Sequence, residues 1–134
     1  SLASSMIDVL VFLDTSGSIG QDEMNEFISE VDALKSQIRA RITLHGCDDH
    51  LCGNGPWIFE SWEPLYLPQD LTGGGGTSFK PPFEWIEREQ MRPDLVVYFT
   101  DAEGDFPLRE PQCPVIWLVK GKGVVPWGQR VQLN

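Results

Sequence analysis

The chain of 134 residues is 41% hydrophobic, which is enough for one domain with a continuous core and too little for two. Twenty acidic residues against ten Lys and Arg give a formal charge of -10, which repels a phosphate backbone and disfavours nucleic acid as a partner. No apolar run approaches the roughly 18 residues that span a bilayer, so we expect no membrane partner.

Three cysteines, Cys47, Cys52 and Cys113, are too few and odd in number for a disulfide framework. We therefore expect a reducing, cytoplasmic setting. Residues 1–5 begin on Ser and are mostly small and polar, and we expect them to be an expression or excision remnant. Residues 6–134 then form the single domain.

The first predicted strand covers residues 7–13, a nearly unbroken apolar run that ends at Asp14, as expected of a strand buried on both faces. After a Gly-Ser-Ile-Gly turn, apolar residues recur at helical spacing and two acidic residues fall in the first turn. Residues 21–39 are therefore predicted to form an amphipathic helix. Its apolar positions are Met24, Phe27, Ile28, Val31, Leu34 and Ile38.

The next two predicted strands cover residues 41–47 and 57–62. The polar, Gly-containing loop between them is short enough for a hairpin and too short for a helical crossover. This connection predicts one antiparallel strand at an edge of the sheet.

The run Gly73–Gly76 fits no regular element, and Pro81 and Pro82 suit the first turn of a short helix. The glycines would let the backbone approach a bound ion closely, or they form a simple flexible loop. Either way, the loop delivers Thr77 just before the helix.

Two further buried strands are predicted at residues 95–100 and 115–119, and a short last one at residues 130–133. Strands that alternate with helices are typical of a mostly parallel sheet with right-handed crossovers. The predicted fold class is α/β, a Rossmann-like, doubly wound, mostly parallel sheet with one antiparallel edge strand.

Three polar positions far apart in sequence are predicted to share one location, because Asp14, Thr77 and Asp101 each follow or adjoin the carboxyl end of a predicted strand. In open α/β sheets, that edge is where ligands bind. The Asp-x-Ser-x-Ser pattern adds the hydroxyls of Ser16 and Ser18, and all five side chains offer the hard oxygen ligands that Mg²⁺ prefers. Taken alone, the same pattern also suits an ordinary turn in which Ser18 caps the following helix.

The pattern of strand, Asp14-x-Ser16-x-Ser18, then Gly-Gly-Thr77, then strand and Asp101 resembles the metal-ion-dependent adhesion site (MIDAS) of von Willebrand factor A (VWA) domains. The segments GGGGTSFKPPFEWI, VVYFTDAEGDFP and CPVIWLV with PWGQRVQL resemble, more narrowly, the VWA-like domain at the C-terminal end of bacterial metallopeptidase-like proteins. This similarity covers roughly residues 6–134.

The resemblance implies that Ser16, Ser18 and Thr77 contact a Mg²⁺, Mn²⁺ or Ca²⁺ ion directly, while Asp14 and Asp101 act largely through water. It also implies a protein-binding module whose metal is completed by a Glu or Asp of a partner. That partner is an AAA+ ATPase or the N-terminal portion of the same, longer bacterial polypeptide.

Two features depart from the usual VWA pattern. The residues between Asp101 and the strand at 115–119 are too few and too rich in Pro and Gly for a crossover helix, and no helix follows the last strand.

Glu103, Asp105 and Asp48 are candidates for an outer shell of the site, and we favour solvated loop carboxylates for all three.

A competing zinc cluster would use His45, Cys47, His50 and Cys52, which lie within one short segment. Residues 45 and 47 point to the same face of a strand, so the four leave little room for a regular tetrahedral set. We favour a buried Cys47 beside loop residues.

An enzyme alternative is a metal-dependent hydrolase or phosphatase-like protein that uses Asp14 as the nucleophile. Such sites usually carry a second Asp two residues on, where Ser16 stands, and no His-Glu-x-x-His motif is present. We assign no catalytic residue and expect a binding module, with any peptidase activity of a parent protein outside this chain.

Overall fold

The computed structural model describes residues 6–134, so the expected remnant at residues 1–5 lies outside the described residues. Within that range the chain forms six strands and two helices: β1 (Ile7–Asp14), α1 (Gln21–Lys35), β2 (Ala40–Cys47), β3 (Trp57–Phe59), α2 (Lys80–Arg88), β4 (Leu95–Thr100), β5 (Val115–Lys120) and β6 (Gln129–Leu133). One sheet has the order β3-β2-β1-β4-β5-β6, with only β3 antiparallel. The predicted fold class is confirmed.

The central strand β1 pairs with β2 on one side and β4 on the other, and it is buried from Val9 onward. Its alternating side chains enter two separate cores. Val11 packs on the face covered by α1, and Phe12 packs on the face covered by α2. A strand covered on both faces loses all contact with water, which is why its sequence is continuously apolar.

Helix α1 is shorter than predicted and ends at Lys35. The side chain of Lys35 is buried, and its ammonium group donates hydrogen bonds to the backbone carbonyls of Ser61 and Glu63. The segment after β3 therefore covers the end of the helix. Residues 36–39 form turns, so the prediction of a helix to residue 39 is wrong. Two of its predicted apolar positions are exposed, Leu34 by 60% within the helix and Ile38 by 52% after it.

Strand β3 is also shorter than the predicted 57–62. It pairs with β2 only from Trp57 to Phe59, and a turn follows in which Glu60 accepts the backbone N–H of Glu63 at 3.0 Å. Trp62 lies within that turn and is 75% exposed. The turn hydrogen bond takes the chain out of the sheet after Phe59, so the prediction of a strand to residue 62 is wrong.

Strands β4 and β5 are joined without a helix, as predicted from the sequence, and so are β5 and β6. Aromatic side chains fill the space where a crossover helix would pack. The fully buried Trp117 lies between Phe106 and Trp127, with ring centroids 5.1 and 5.5 Å away. The indole N–H of Trp117 is also hydrogen-bonded, since it donates to the carbonyl of Trp127 at 3.0 Å.

Across the described residues, no helix is both long and apolar enough to cross a bilayer.

We predict that Trp117→Ala lowers the free energy of unfolding by about 3–5 kcal/mol, because it leaves a large cavity in the α2-side core. The matched control is Trp62→Ala, which removes the same side chain from an exposed position and should change stability by less than about 0.5 kcal/mol. Urea unfolding followed by far-UV circular dichroism measures both. Equal losses in the two variants would contradict the burial described here.

Candidate metal centre

Asp14 ends β1 and is fully buried. Its Oδ1 accepts the backbone N–H of Ser16 at 2.9 Å, and its Oδ2 accepts the hydroxyl of Thr100 at 2.5 Å. Burial raises the pKa of the Asp14 carboxyl, the hydrogen bonds from Ser16 and Thr100 partly oppose that rise, and the nearby charge of Asp101 adds to it. The carboxylate thus ties the end of β1 to the end of β4.

The hydroxyls of Ser16 and Ser18 continue from Asp14 toward the loop after β4. Their two Oγ atoms are 3.2 Å apart, and Ser18 donates to Oδ2 of Asp101 at 2.7 Å. The other oxygen of Asp101 accepts the backbone N–H of Glu103 at 3.0 Å. Four of the five predicted ligands therefore form one connected set at the carboxyl edge of the sheet.

The arrangement of these oxygens fits a small divalent cation. Because Ser18 donates its single hydrogen to Asp101, Ser16 must be the donor in the contact between the two hydroxyls. Neighbouring ligands of an octahedral Mg²⁺ lie about 3 Å apart, since each bond is about 2.1 Å long. The separation of 3.2 Å between the hydroxyl oxygens suits two such ligands.

Thr77, the fifth predicted ligand, lies in the loop before α2 and is partly buried. A Cβ atom placed on Gly104 would come within 2.7 Å of the Thr77 methyl group, so Thr77 touches the loop that follows Asp101. On the other side, Gly74 donates its backbone N–H to the carbonyl of Thr15 at 2.7 Å. The three predicted loops meet, and the role of their side chains as metal ligands stays a prediction.

The glycines before Thr77 serve a close backbone contact. A Cβ atom on Gly73 would stand 2.2 Å from the carbonyl oxygen of Thr15, so no other residue fits there without moving the chain. Gly74 has φ of +97°, a conformation that L side chains rarely adopt. The group that Gly73 approaches is the Thr15 backbone, and the approach of these glycines to a bound ion stays a prediction.

The three outer-shell candidates differ in environment. Glu103 and Asp105 are exposed loop carboxylates, as favoured from the sequence. Asp48 is only 6% exposed, so its interpretation as a solvated carboxylate is wrong. Its two oxygens accept the backbone N–H groups of His50 and Gly75, both at 3.1 Å.

Sequence reasoning missed one grouping, Asp48 with Asp49 and His50, whose potential ligand atoms all lie within 4.8 Å of one another. The His50 ring is 2.7 Å from Asp49 and 3.4 Å from Asp48. The hydrogen bond to Asp49, together with the charge of Asp48, raises the pKa of His50. The sequence Asp-Asp-His directly after β2 could have indicated this grouping.

The four potential zinc ligands are not gathered together. His45 packs against the ring of Trp85, with centroids 5.1 Å apart, whereas His50 is exposed. Among the described residues, no three of His45, Cys47, His50 and Cys52 bring their ligand atoms within 4.8 Å of one another. Burial raises the pKa of Cys47 to about 12, and its thiol lies 3.4 Å from the backbone carbonyls of Asp48 and Ser78.

The position of Asp14 also disfavours the hydrolase alternative. A carboxylate nucleophile needs a free oxygen that faces substrate. Both oxygens of Asp14 accept hydrogen bonds from the protein, and the side chain is fully buried.

A mostly parallel sheet with an Asp-x-Ser-x-Ser loop, a Thr loop and an Asp loop at its carboxyl edge defines the class of VWA-type domains. The chain belongs to the family described as VWA-like domain (DUF2201), whose profile matches residues 9–134. The resemblance to VWA domains inferred from the sequence motifs is thereby confirmed.

Two proteins to which the chain is similar are longer than it. An uncharacterized protein of Thermotoga maritima is 30% identical over 100 residues, which are 75% of this chain and 24% of that protein. The crystal structure of the ArnB paralog VWA2 from Sulfolobus acidocaldarius matches with a TM-score of 0.69 at 17% identity, over 90% of this chain and 36% of that chain. The chain thus spans about a quarter and about a third of these two proteins.

We predict that Asp49→Asn lowers the pKa of His50 back toward its ordinary value of 6.5, because Asp49 makes the main contribution to its rise. Titration of the ring protons by NMR measures this shift. His45, whose pKa is lowered by burial, is the internal control and should not change. An unchanged His50 titration would contradict the contact between Asp49 and the ring.

Proposed function

We propose that this chain is a metal-dependent protein-binding module. Ser16, Ser18 and Thr77 hold a divalent cation directly, and Asp14 and Asp101 hold it through water. The observation that carries this proposal is the hydrogen-bonded set that joins Asp14, Ser16, Ser18 and Asp101 at the carboxyl edge of the sheet. Membership of the VWA-like family supports the same function.

The chemistry of the ligands explains why such a site binds a partner. Hydroxyl ligands are neutral, and carboxylates that act through water neutralise the ion incompletely. The bound cation therefore supplies an electrophilic centre that a further carboxylate can ligate. Mg²⁺ suits this oxygen set best, and Mn²⁺ and Ca²⁺ favour the same ligand type.

The net charge of the chain makes the cation necessary for an acidic partner. With a formal charge of -10, the domain repels acidic segments at a distance. A bound cation makes the electrostatic potential positive close to the site. A carboxylate is therefore attracted only when it reaches the site itself. The partner we propose is a Glu or Asp from an AAA+ ATPase or from the N-terminal portion of a longer polypeptide.

We predict that the wild-type chain binds one Mn²⁺ or Mg²⁺ in titration calorimetry and that Asp14→Ala abolishes this binding. The substitution removes the carboxylate that fixes the Ser16 backbone. The matched control is Asp8→Ala, because Asp8 lies near the opposite end of the same strand and is exposed. Equal binding by wild type and Asp14→Ala would remove the proposed site.

We predict that acetate displaces water from bound Mn²⁺, because an ion in this site keeps a position open for a carboxylate. Water proton relaxation reports exchangeable water on Mn²⁺, so added acetate should reduce the relaxation enhancement. Acetamide, which has the same shape and no charge, is the matched control and should have little effect. An enhancement that neither probe changes would argue against an open position.

A further inference from the structure

The Thr77 loop, residues 72–79, is fastened by backbone hydrogen bonds on both sides of Thr77. On the near side of Thr77, Gly74 bonds to the carbonyl of Thr15 in the loop after β1. On the far side, Phe79 donates to the carbonyl of Asp105 at 2.8 Å, in the loop after β4. These contacts use main-chain atoms of both partners, so they depend little on which side chains are present.

Asp48 supplies the one contact to this loop, among those described, in which a carboxylate side chain accepts a backbone N–H. Its Oδ2 accepts the N–H of Gly75 at 3.1 Å, and its own backbone carbonyl accepts the N–H of Ser78 at 2.9 Å. These two bonds fall on either side of Thr77. One residue after β2 therefore brackets the predicted ligand.

The carboxylate of Asp48 is well suited to hold a loop. Asp48 is only 6% exposed, and its second oxygen accepts the N–H of His50, so both carboxylate oxygens are bonded. Burial raises the pKa of Asp48, but hydrogen bonds from His50 and Gly75 outweigh that effect, and the pKa lies below its ordinary value. The group is thus charged at neutral pH, which strengthens both bonds.

We propose that Asp48 is a positioning residue of the metal centre, which holds Gly75 and thereby sets where the Thr77 hydroxyl stands, without touching the ion itself. This inference rests on the proposed function for its consequence in metal binding. It makes the loop after β2 a fourth contributor to the site, beside the loops after β1 and β4 and the loop before α2. In this arrangement, a residue that does not contact the cation affects how tightly the site binds it.

An independent metal site at Asp48, Asp49 and His50 is less well supported. Both oxygens of Asp48 are already engaged by backbone N–H groups, and the side chains of Asp49 and His50 are 58% and 78% exposed. Exposed acidic groups near a histidine are common without an ion. The positioning role accounts for the burial of Asp48, and the cluster alone does not.

The test compares Asp48→Ala, Asp48→Asn and the matched control Asp49→Ala in the 134-residue chain. The control removes the same charge one residue away and leaves the bond to Gly75 intact. Amide hydrogen exchange of Gly75, measured by NMR after chelator treatment, reports the loop without any metal. Calorimetric titration with Mn²⁺ reports the site, and urea unfolding reports global stability.

We expect Asp48→Ala to speed Gly75 exchange and to weaken Mn²⁺ binding by about tenfold or more, the size expected when a hydrogen bond to a charged group is lost. Asp48→Asn should bind Mn²⁺ with an affinity between those of Asp48→Ala and wild type. Its one amide oxygen can still accept the Gly75 N–H, but the bond to the N–H of His50 is then lost. Asp49→Ala should leave both Gly75 exchange and Mn²⁺ affinity close to wild type.

Two results would overturn the positioning role: Gly75 exchange that Asp48→Ala leaves unchanged, or equal losses of Mn²⁺ affinity in Asp48→Asn and Asp48→Ala while Gly75 exchange in Asp48→Asn stays close to wild type. The second result would mean that the charge of Asp48 acts on the ion. If Asp48→Ala does not fold, a tenfold loss in Asp48→Asn with normal Gly75 exchange overturns it equally. Failure of the wild type to bind Mn²⁺ would instead refute the proposed function, and Gly75 exchange would still decide whether Asp48 holds the loop.

Discussion

A buried carboxylate at the end of the central strand is the constraint on which this site depends. A fully buried Asp14 is tolerable only if both of its oxygens find donors, because an unpaired buried charge is strongly destabilising. Ser16, in the loop after β1, and Thr100, the last residue of β4, supply those donors. The carboxylate thus adds a side-chain bond between the ends of two strands that already pair in the sheet, beside the point where Ser18 and Asp101 meet.

The packing of the sheet leaves this edge open. With α1 on one face and α2 on the other, the strands β4 to β6 are joined by irregular segments, and aromatic rings around Trp117 fill the space. The loop after β4 is hydrogen-bonded at Asp105 to the Thr77 loop. With two helices among residues 6–134, the chain in this way brings four loops to one small region.

Local patterns predicted most of the fold and much of the candidate site. The sequence predicted the strand before Asp14, the serines that follow it and the placement of Thr77. Burial on both faces requires a continuous apolar run, and turns favour particular residue types, so both are visible in the sequence. The end of α1 could not be predicted, since Leu34 and Ile38 are apolar but remain exposed. The burial of Asp48 was missed for the opposite reason. A charged residue after a strand is usually exposed, and nothing in the neighbouring sequence indicates that its carboxylate will be buried and accept backbone N–H groups.

The sequence by itself determined the α/β class, the order of the strands along the chain and the residue types at the ends of β1 and β4. Only the tertiary structure decided which partners those residues have. The bonds of Asp14 to Thr100 and of Asp48 to Gly75 join positions far apart in the chain. Such contacts depend on the order in which the strands pair in the sheet. The periodicity of apolar residues predicts which face of an element is buried, but it does not predict which loop lies next to another.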